Sequence, residues 1–159
     1  MKTIQLPLLS TFLFFIAMPL LPNILDDLQA DSRYKIEIYA SDLDSPRQLA
    51  ESADGWIFIG SRSGGTIFAV KDTDGNGESD TKSIVAEGLS MATGVSLFNG
   101  DLFFSEINKI WKIENIDAFL KKNSAELPEK ILVTDNLPSD KWHGWKWIMH
   151  DENGSLYTN

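Results

Sequence analysis

A short apolar strand, a tight turn carrying Asp-Gly or Asn-Gly, and a second apolar strand recur three times in this chain. That repeat constrains the fold more than any other feature. The copies are Pro46 to Val70 (PRQLAESADGWIFIGSRSGGTIFAV), Ala92 to Ile113 (ATGVSLFNGDLFFSEINKIWKI) and His143 to Asn159 (HGWKWIMHDENGSLYTN). Asp54-Gly55, Asn99-Gly100 and Asn153-Gly154 predict type I′ hairpins, whose two central residues both need positive φ. The first two copies continue into a third strand, Thr66–Val70 and Lys109–Ile113. The turn glycines Gly55, Gly100 and Gly154 lie 45 and 54 residues apart. A four-stranded propeller blade takes about 40–50 residues, so the spacing predicts an all-β chain built as a β-propeller. A β-sandwich uses similar hairpins and fits the spacing less well. One short helix is expected at residues 115–122 (NIDAFLKK), with Asn115 as its cap and Lys121 and Lys122 near its C-terminus.

A propeller ring closes with about four blades or more. The 159 residues supply two blades and the first hairpin of a third, about two and a half in all. The chain therefore reads as the N-terminal portion of a longer protein, and alone it is expected to be inactive. Its blades would lack neighbours on one side, leaving strand edges and apolar faces uncovered.

Composition excludes several classes. The chain has no cysteine, which removes disulfides, zinc-thiolate sites and thiol nucleophiles. Its net charge is −9, with no Lys/Arg block, so no basic footprint displaces counterions from a nucleic acid. Aromatic residues are plentiful enough for a folded core.

Residues 1–30 read as a signal peptide or N-terminal anchor, and residues 31–159 as the folded portion. Lys2 gives a positive start, and an apolar run is densest from Phe12 to Met18. Pro7, Pro19 and Pro22 argue against one clean membrane-spanning helix, since each lacks an N–H donor. The expected localisation is exported, to the periplasm, with no membrane association beyond this segment.

Beyond these patterns, the chain resembles the glucose/sorbosone dehydrogenase family, soluble sugar dehydrogenases dependent on pyrroloquinoline quinone (PQQ). The resemblance lies in SPRQLA with DGWIFIGSRSGGTIFAV, in MATGVSLFNGDLFFSEINKIWKI, and in DNLPSDKWHGWKWI followed by NGSLY. It runs from about Tyr34 to Asn159 and is closest to the sorbosone dehydrogenase branch. It implies a six-bladed propeller with PQQ at one face of the ring, near the axis. It also implies a sugar substrate, an external electron acceptor, and a His that takes the sugar hydroxyl proton. The matching position is His143. Imidazole suits that task because its proton affinity lies near neutral pH. Better-known members place an acidic residue before this His. Here Trp142 stands there, and Asp140 is three residues away. The family's cationic residues for the PQQ carboxylates come largely from later blades. Read from the residues alone, His143, Trp145, Trp147 and Met149 share one face of an extended strand, which also describes a core stripe between blades.

A second candidate site is the run from Asp72 to Asp80 (DTDGNGESD). Asp72, Asp74, Asn76 and Asp80 occupy positions 1, 3, 5 and 9 of a calcium loop, with Gly77 at position 6. Ser83 at position 12 removes the bidentate Glu of an EF-hand, so a shorter structural calcium loop between outer strands is the metal reading. A solvated acidic turn is the other. Arg62-Ser-Gly-Gly reads as a hairpin connection, because no helix follows to bind phosphate. Arg47 either faces the ring's channel or forms a surface ion pair. His150 reads as an ordinary turn-proximal residue.

Three functions remain open at this level. One is an exported PQQ-dependent dehydrogenase oxidising a sugar or aldose-like compound. The others are a metal-dependent propeller lactonase, with Glu106 as the visible ligand, and a non-catalytic propeller binding module.

Overall fold

The computed structural model describes residues 25 and 27–159. Most of the expected export segment, including Lys2, Pro7, Phe12 to Met18, Pro19 and Pro22, lies outside the described residues. The chain divides into two units, Met1–Glu37 and Ile38–Asn159. In the first, the described residues form turns and irregular chain, with Arg33 Nε on Asp31 Oδ1 at 2.9 Å. No helix among the described residues is long and apolar enough to cross a membrane.

The second unit is built of antiparallel meanders. The first sheet is β1 (Pro46–Glu51), β2 (Ile57–Ser61), β3 (Ile67–Lys71) and β4 (Thr81–Ala86), hydrogen-bonded in that order. The second is β5 (Val95–Phe98), β6 (Asp101–Ser105), β7 (Ile110–Ile113) and β8 (Ile131–Thr134), also in chain order. Helix α1 (Ile116–Lys121) lies between β7 and β8, and a hairpin of β9 (Ile148–His150) and β10 (Leu156–Thr158) follows. The fold is all-β, two propeller blades and the opening hairpin of a third.

Period-two alternation explains how the sheets stack. On β2 and β3, Phe58, Ile67 and Ala69 face the second blade and join Val95, Leu102, Phe104 and Ile113 in one buried slab. The alternate residues Ile59, Phe68 and Val70 face the other way, where Tyr39, Ala40 and Leu43 cover them. Strands β2 and β3 of blade one are therefore apolar on both faces. Each fully buried side chain of this size contributes about 1.5–3 kcal/mol, so the slab between blades is the main source of stability.

Backbones also touch across the blades. Ser61 N–H donates to Ala92 O at 2.8 Å, and a Cβ built on Gly60 would stand 2.0 Å from Thr93 O. Gln48 on β1 ties three inner strands together. Its Nε2 donates to Val95 O (2.9 Å) and Ile148 O (2.7 Å), and its Oε1 accepts from Ile148 N–H (3.3 Å).

The turns depart from the expectation in two of three cases. Asn99 (φ 51°) and Gly100 (φ 85°) form the two-residue I′ hairpin. At Gly55 and Gly154 only the glycine has positive φ, and Gly55 N–H donates to Ser52 O while Gly154 N–H donates to Asp151 O. These are longer loops, a type I turn followed by a left-handed glycine, the other common hairpin connection. Asn115 does not cap α1 through its side chain. It is itself left-handed (φ 47°), and its N–H donates to Asp101 Oδ1 at 3.0 Å.

Two glycine substitutions separate steric from conformational cost. Gly100 has open space around it but a φ of +85°, so Gly100→Ala should cost about 1–2 kcal/mol. Gly60→Ala must push two blades apart and should lower the denaturation midpoint of the full-length chain more than Gly100→Ala. Equal midpoints would mean that the blades do not meet closely at Gly60.

Candidate functional site

The meander sorts the connections between the two ends of the blades. Residues 62–66, 87–94, 106–109 and 135–147 emerge at one end, and the loop of residues 72–80 at the other. Backbone bonds knit the first end together: Ile107 N–H to Ser90 O at 3.0 Å and Leu137 N–H to Asn108 O at 3.3 Å.

His143 lies at that first end, exposed and in a turn rather than on a strand. The expected extended run from His143 to Met149 does not form, because β9 begins only at Ile148. His143 has φ 55°, a left-handed conformation uncommon for a residue with a Cβ. The next residue shows why the chain bends here. A Cβ on Gly144 would lie 1.7 Å from Asp140 O, so only glycine fits the crossing. Neither is the stripe a core stripe: Trp147 and Met149 are exposed.

An open cleft of about 380 Å³ is lined by Arg62, Lys141, Trp142, His143 and Trp145. The His143 ring lies 5.3 Å from that of Trp145 and 6.5 Å from that of Trp142. The Arg62 guanidinium sits over the Trp145 ring, 4.3 Å from its centroid, as a cation on a π face. Arg47 and Arg62 both line an adjoining cleft with Ser45, Pro46 and Ser63. Among the described residues no carboxylate forms an ion pair with Arg47, Arg62 or Lys141. The chain is acidic overall, yet Arg62 and Lys141 stand without an ion pair in the cleft beside His143, where an anionic planar ligand would meet charge and ring faces together. No carboxylate among the described residues hydrogen-bonds the His143 imidazole.

Arg62, read from the sequence as part of a hairpin connection, and Lys141 are functional candidates that sequence reasoning missed. Arg62 and Trp145 are distant in sequence, and only the tertiary fold brings the 62–66 connection against the one at 135–147. The sole advance signal was an Arg at the end of a strand with no acidic neighbour.

The other end holds the acidic loop between β3 and β4. Carboxylate oxygens of Asp72, Asp74 and Asp80 lie within 4.8 Å of one another. Asn76 does not complete the set with its oxygen: its Nδ2 donates to Asp74 Oδ2 (3.2 Å), and its Oδ1 accepts from Glu78 N–H (2.8 Å). Gly77 N–H and Gly75 N–H donate to Asp72 at 2.8 and 2.7 Å. These bonds, Gly77 foremost, hold the Asp72 carboxyl below its usual range. Asp80 is lowered too, first by the Thr73 hydroxyl.

Glu106 is a structural staple. Its Oε1 accepts from Trp111 Nε1–H (2.8 Å) and its Oε2 from Ser90 N–H (2.7 Å), so both oxygens are already engaged. His150, read as turn-proximal, lies on β9 at the seam between blade two and the third hairpin. Its ring stacks on Phe98 at 5.3 Å, meets Phe103 at 4.4 Å, and places Nδ1 2.9 Å from Ser96 Oγ. Burial pushes its pKa down, opposed by the neighbouring Asp151.

No family model matches the chain. A protein of Borreliella burgdorferi, described as uncharacterized, is 27% identical over 144 residues, 86% of this chain and 36% of that protein. The chain thus spans about a third of the length of this curated relative. Among solved structures, the holo form of the pyranose dehydrogenase PQQ domain from Coprinopsis cinerea matches with a TM-score of 0.61 and 13% identity. The match covers 74% of this chain and 27% of that one. A Trichoderma reesei carbohydrate-active enzyme of family AA12 matches with a TM-score of 0.58 and 12% identity, over 74% and 29% of the two chains. At these identities the likeness establishes a shared fold.

The seam at His150 predicts a pH dependence. Burial makes the folded chain take up this proton at lower pH than the unfolded chain, which does so near pH 6.5. Stability from this group is therefore present above about pH 6.5. It falls as the pH drops below that value, levelling off once the folded form protonates. Denaturation midpoints of the full-length chain should show this slope, and His150→Phe, which keeps the ring packing, should flatten it. An unchanged slope would place His150 outside the titrating seam.

Proposed function

We propose that this chain belongs to an exported, PQQ-dependent dehydrogenase that oxidises a sugar or aldose-like compound and passes the electrons to an external acceptor. His143 is its base. The parent protein is then a six-bladed ring, with the sorbosone dehydrogenase branch as the nearest kin. One observation carries the reading. On a fold shared with a PQQ domain, His143, two tryptophan faces and unpaired cations converge at one end of the blades.

The donor set fits the cofactor. PQQ is planar and carries three carboxylates. Arg62, Lys141 and Arg47 would hold its carboxylates, with Trp142 and Trp145 flanking its rings. Bound there, the quinone supplies the two-electron oxidant for the alcohol carbon. His143 takes the proton from the substrate hydroxyl at an imidazole nitrogen, leaving the oxygen electron-rich as the carbonyl forms. Trp145 packs its ring 5.3 Å from that imidazole and forms one side of the cleft. The Arg62 guanidinium over Trp145 fixes one wall of the cleft.

Full-length protein reconstituted with PQQ should reduce a dye only when sugar is added. His143→Ala should lower kcat by about 10²–10⁴-fold, the usual worth of a general base, with the thermal midpoint retained. Turnover surviving in that variant would refute the base assignment. Failure of every sugar together with failure to bind PQQ would refute the dehydrogenase reading.

We further propose that Asp72, Asp74 and Asp80 hold a structural calcium at the opposite end. Calcium should raise the thermal midpoint of the full-length chain, and Asp72→Asn with Asp74→Asn should abolish the rise. An equal calcium response in that double variant would exclude the loop.

A further inference from the structure

A buried lysine lies three residues beyond His143. Lys146 is 6% exposed, a rare position for a lysine, and among the described residues it forms no ion pair. Its Nζ donates to the carbonyl oxygen of Gly144 at 3.0 Å. Its own carbonyl accepts from Ser105 Oγ at 2.9 Å, and Ser105 Oγ accepts from Gly94 N–H at 2.9 Å. The lysine backbone is therefore anchored to blade two while its side chain curls back onto the loop that carries the base.

The anchored carbonyl belongs to the residue with the greatest backbone freedom. Gly144 must be glycine because of its contact with Asp140 O, and without a side chain its own backbone contributes little to fixing the peptide to Trp145. That peptide sets where the Trp145 ring lies against His143. Its neighbour on the other side, His143, is held in a left-handed conformation that relaxes unless its surroundings prevent it. A charge-assisted bond from a desolvated ammonium is about twice as strong as a neutral one. It restrains the Gly144 carbonyl where an uncharged packing contact would not.

We propose that Lys146 is a positioning residue: its ammonium pins the Gly144 carbonyl and so holds His143 against Trp145. This inference rests on the reading of His143 as the base, and the test separates the two. A protonated imidazole quenches the fluorescence of an indole beside it. Tryptophan emission of the full-length protein should therefore be higher at alkaline than at acid pH, and that difference is the step to be measured. The step is assigned by its loss in His143→Asn, and it needs neither cofactor nor substrate.

Lys146→Met should reduce that step at least about twofold and lower kcat by about 10–100-fold with KM little changed, as expected for loss of a group that orients a reacting one. Lys146→Arg, which keeps charge and donors, should restore most of both even if its thermal midpoint also falls. A merely structural lysine would lower the midpoint in both variants and leave the fluorescence step intact. An unchanged step in Lys146→Met overturns the proposal whatever the activity, as does failure of Lys146→Arg to restore the step in a folded protein. Should His143→Ala retain turnover while the Lys146→Met step is lost, the base assignment falls and the positioning of His143 stands.

Discussion

Burial on both faces of β2 and β3 is the constraint on which the rest of this structure depends. Phe58 and Ile59, adjacent on β2, point into two different apolar layers. A sheet of this kind cannot stand alone in water, because whichever face is left uncovered exposes a row of large side chains. Blade two covers one face of blade one, and residues Tyr39 to Leu43 cover the other. Close stacking then demands small residues where backbones meet, which is why Gly60 lies against Thr93.

That stacking also separates two kinds of chemistry. Antiparallel strands in chain order send alternate connections to opposite ends, so the acidic loop at Asp72 and the His143 turn cannot share a site. The first end gathers cations and indole rings with no carboxylate paired to Arg47, Arg62 or Lys141 among the described residues. The second gathers carboxylates held by backbone N–H groups. A net charge of −9 conceals this polarity. The propeller places a cationic, aromatic cleft on an acidic protein and keeps it clear of the acidic loop.

Much of the fold was legible from local rules. Asn99-Gly100 predicts its own I′ turn because both residues tolerate positive φ. Asp54 and Asn153 invite the same reading, but their loops carry one positive-φ residue each. The bounds of the outer strands β4 and β8 were not set by the sequence for a different reason. They follow long connections, and β8 presents exposed Ile131, Leu132 and Val133, so no alternation announces a buried face. At the site, His143 was visible through its resemblance, whereas Arg62 and Lys146 were not. Their significance comes from a ring 4.3 Å away and a carbonyl 3.0 Å away, and no periodicity encodes either contact.

The sequence by itself determined the hairpin repeat, the inner strands of each copy and the blade spacing. These follow from φ preferences and period-two patterning, which act within a few residues of one another. Tertiary structure alone decided that His143 leaves the strand for a left-handed turn and that His150 packs at a seam between blades. It alone decided that Asn76 turns its amide nitrogen, not its oxygen, toward Asp74. Each outcome depends on what a neighbouring segment brings within a few ångströms, such as the Asp140 carbonyl beside Gly144 or Phe103 beside His150. Such distances arise only when the blades stack.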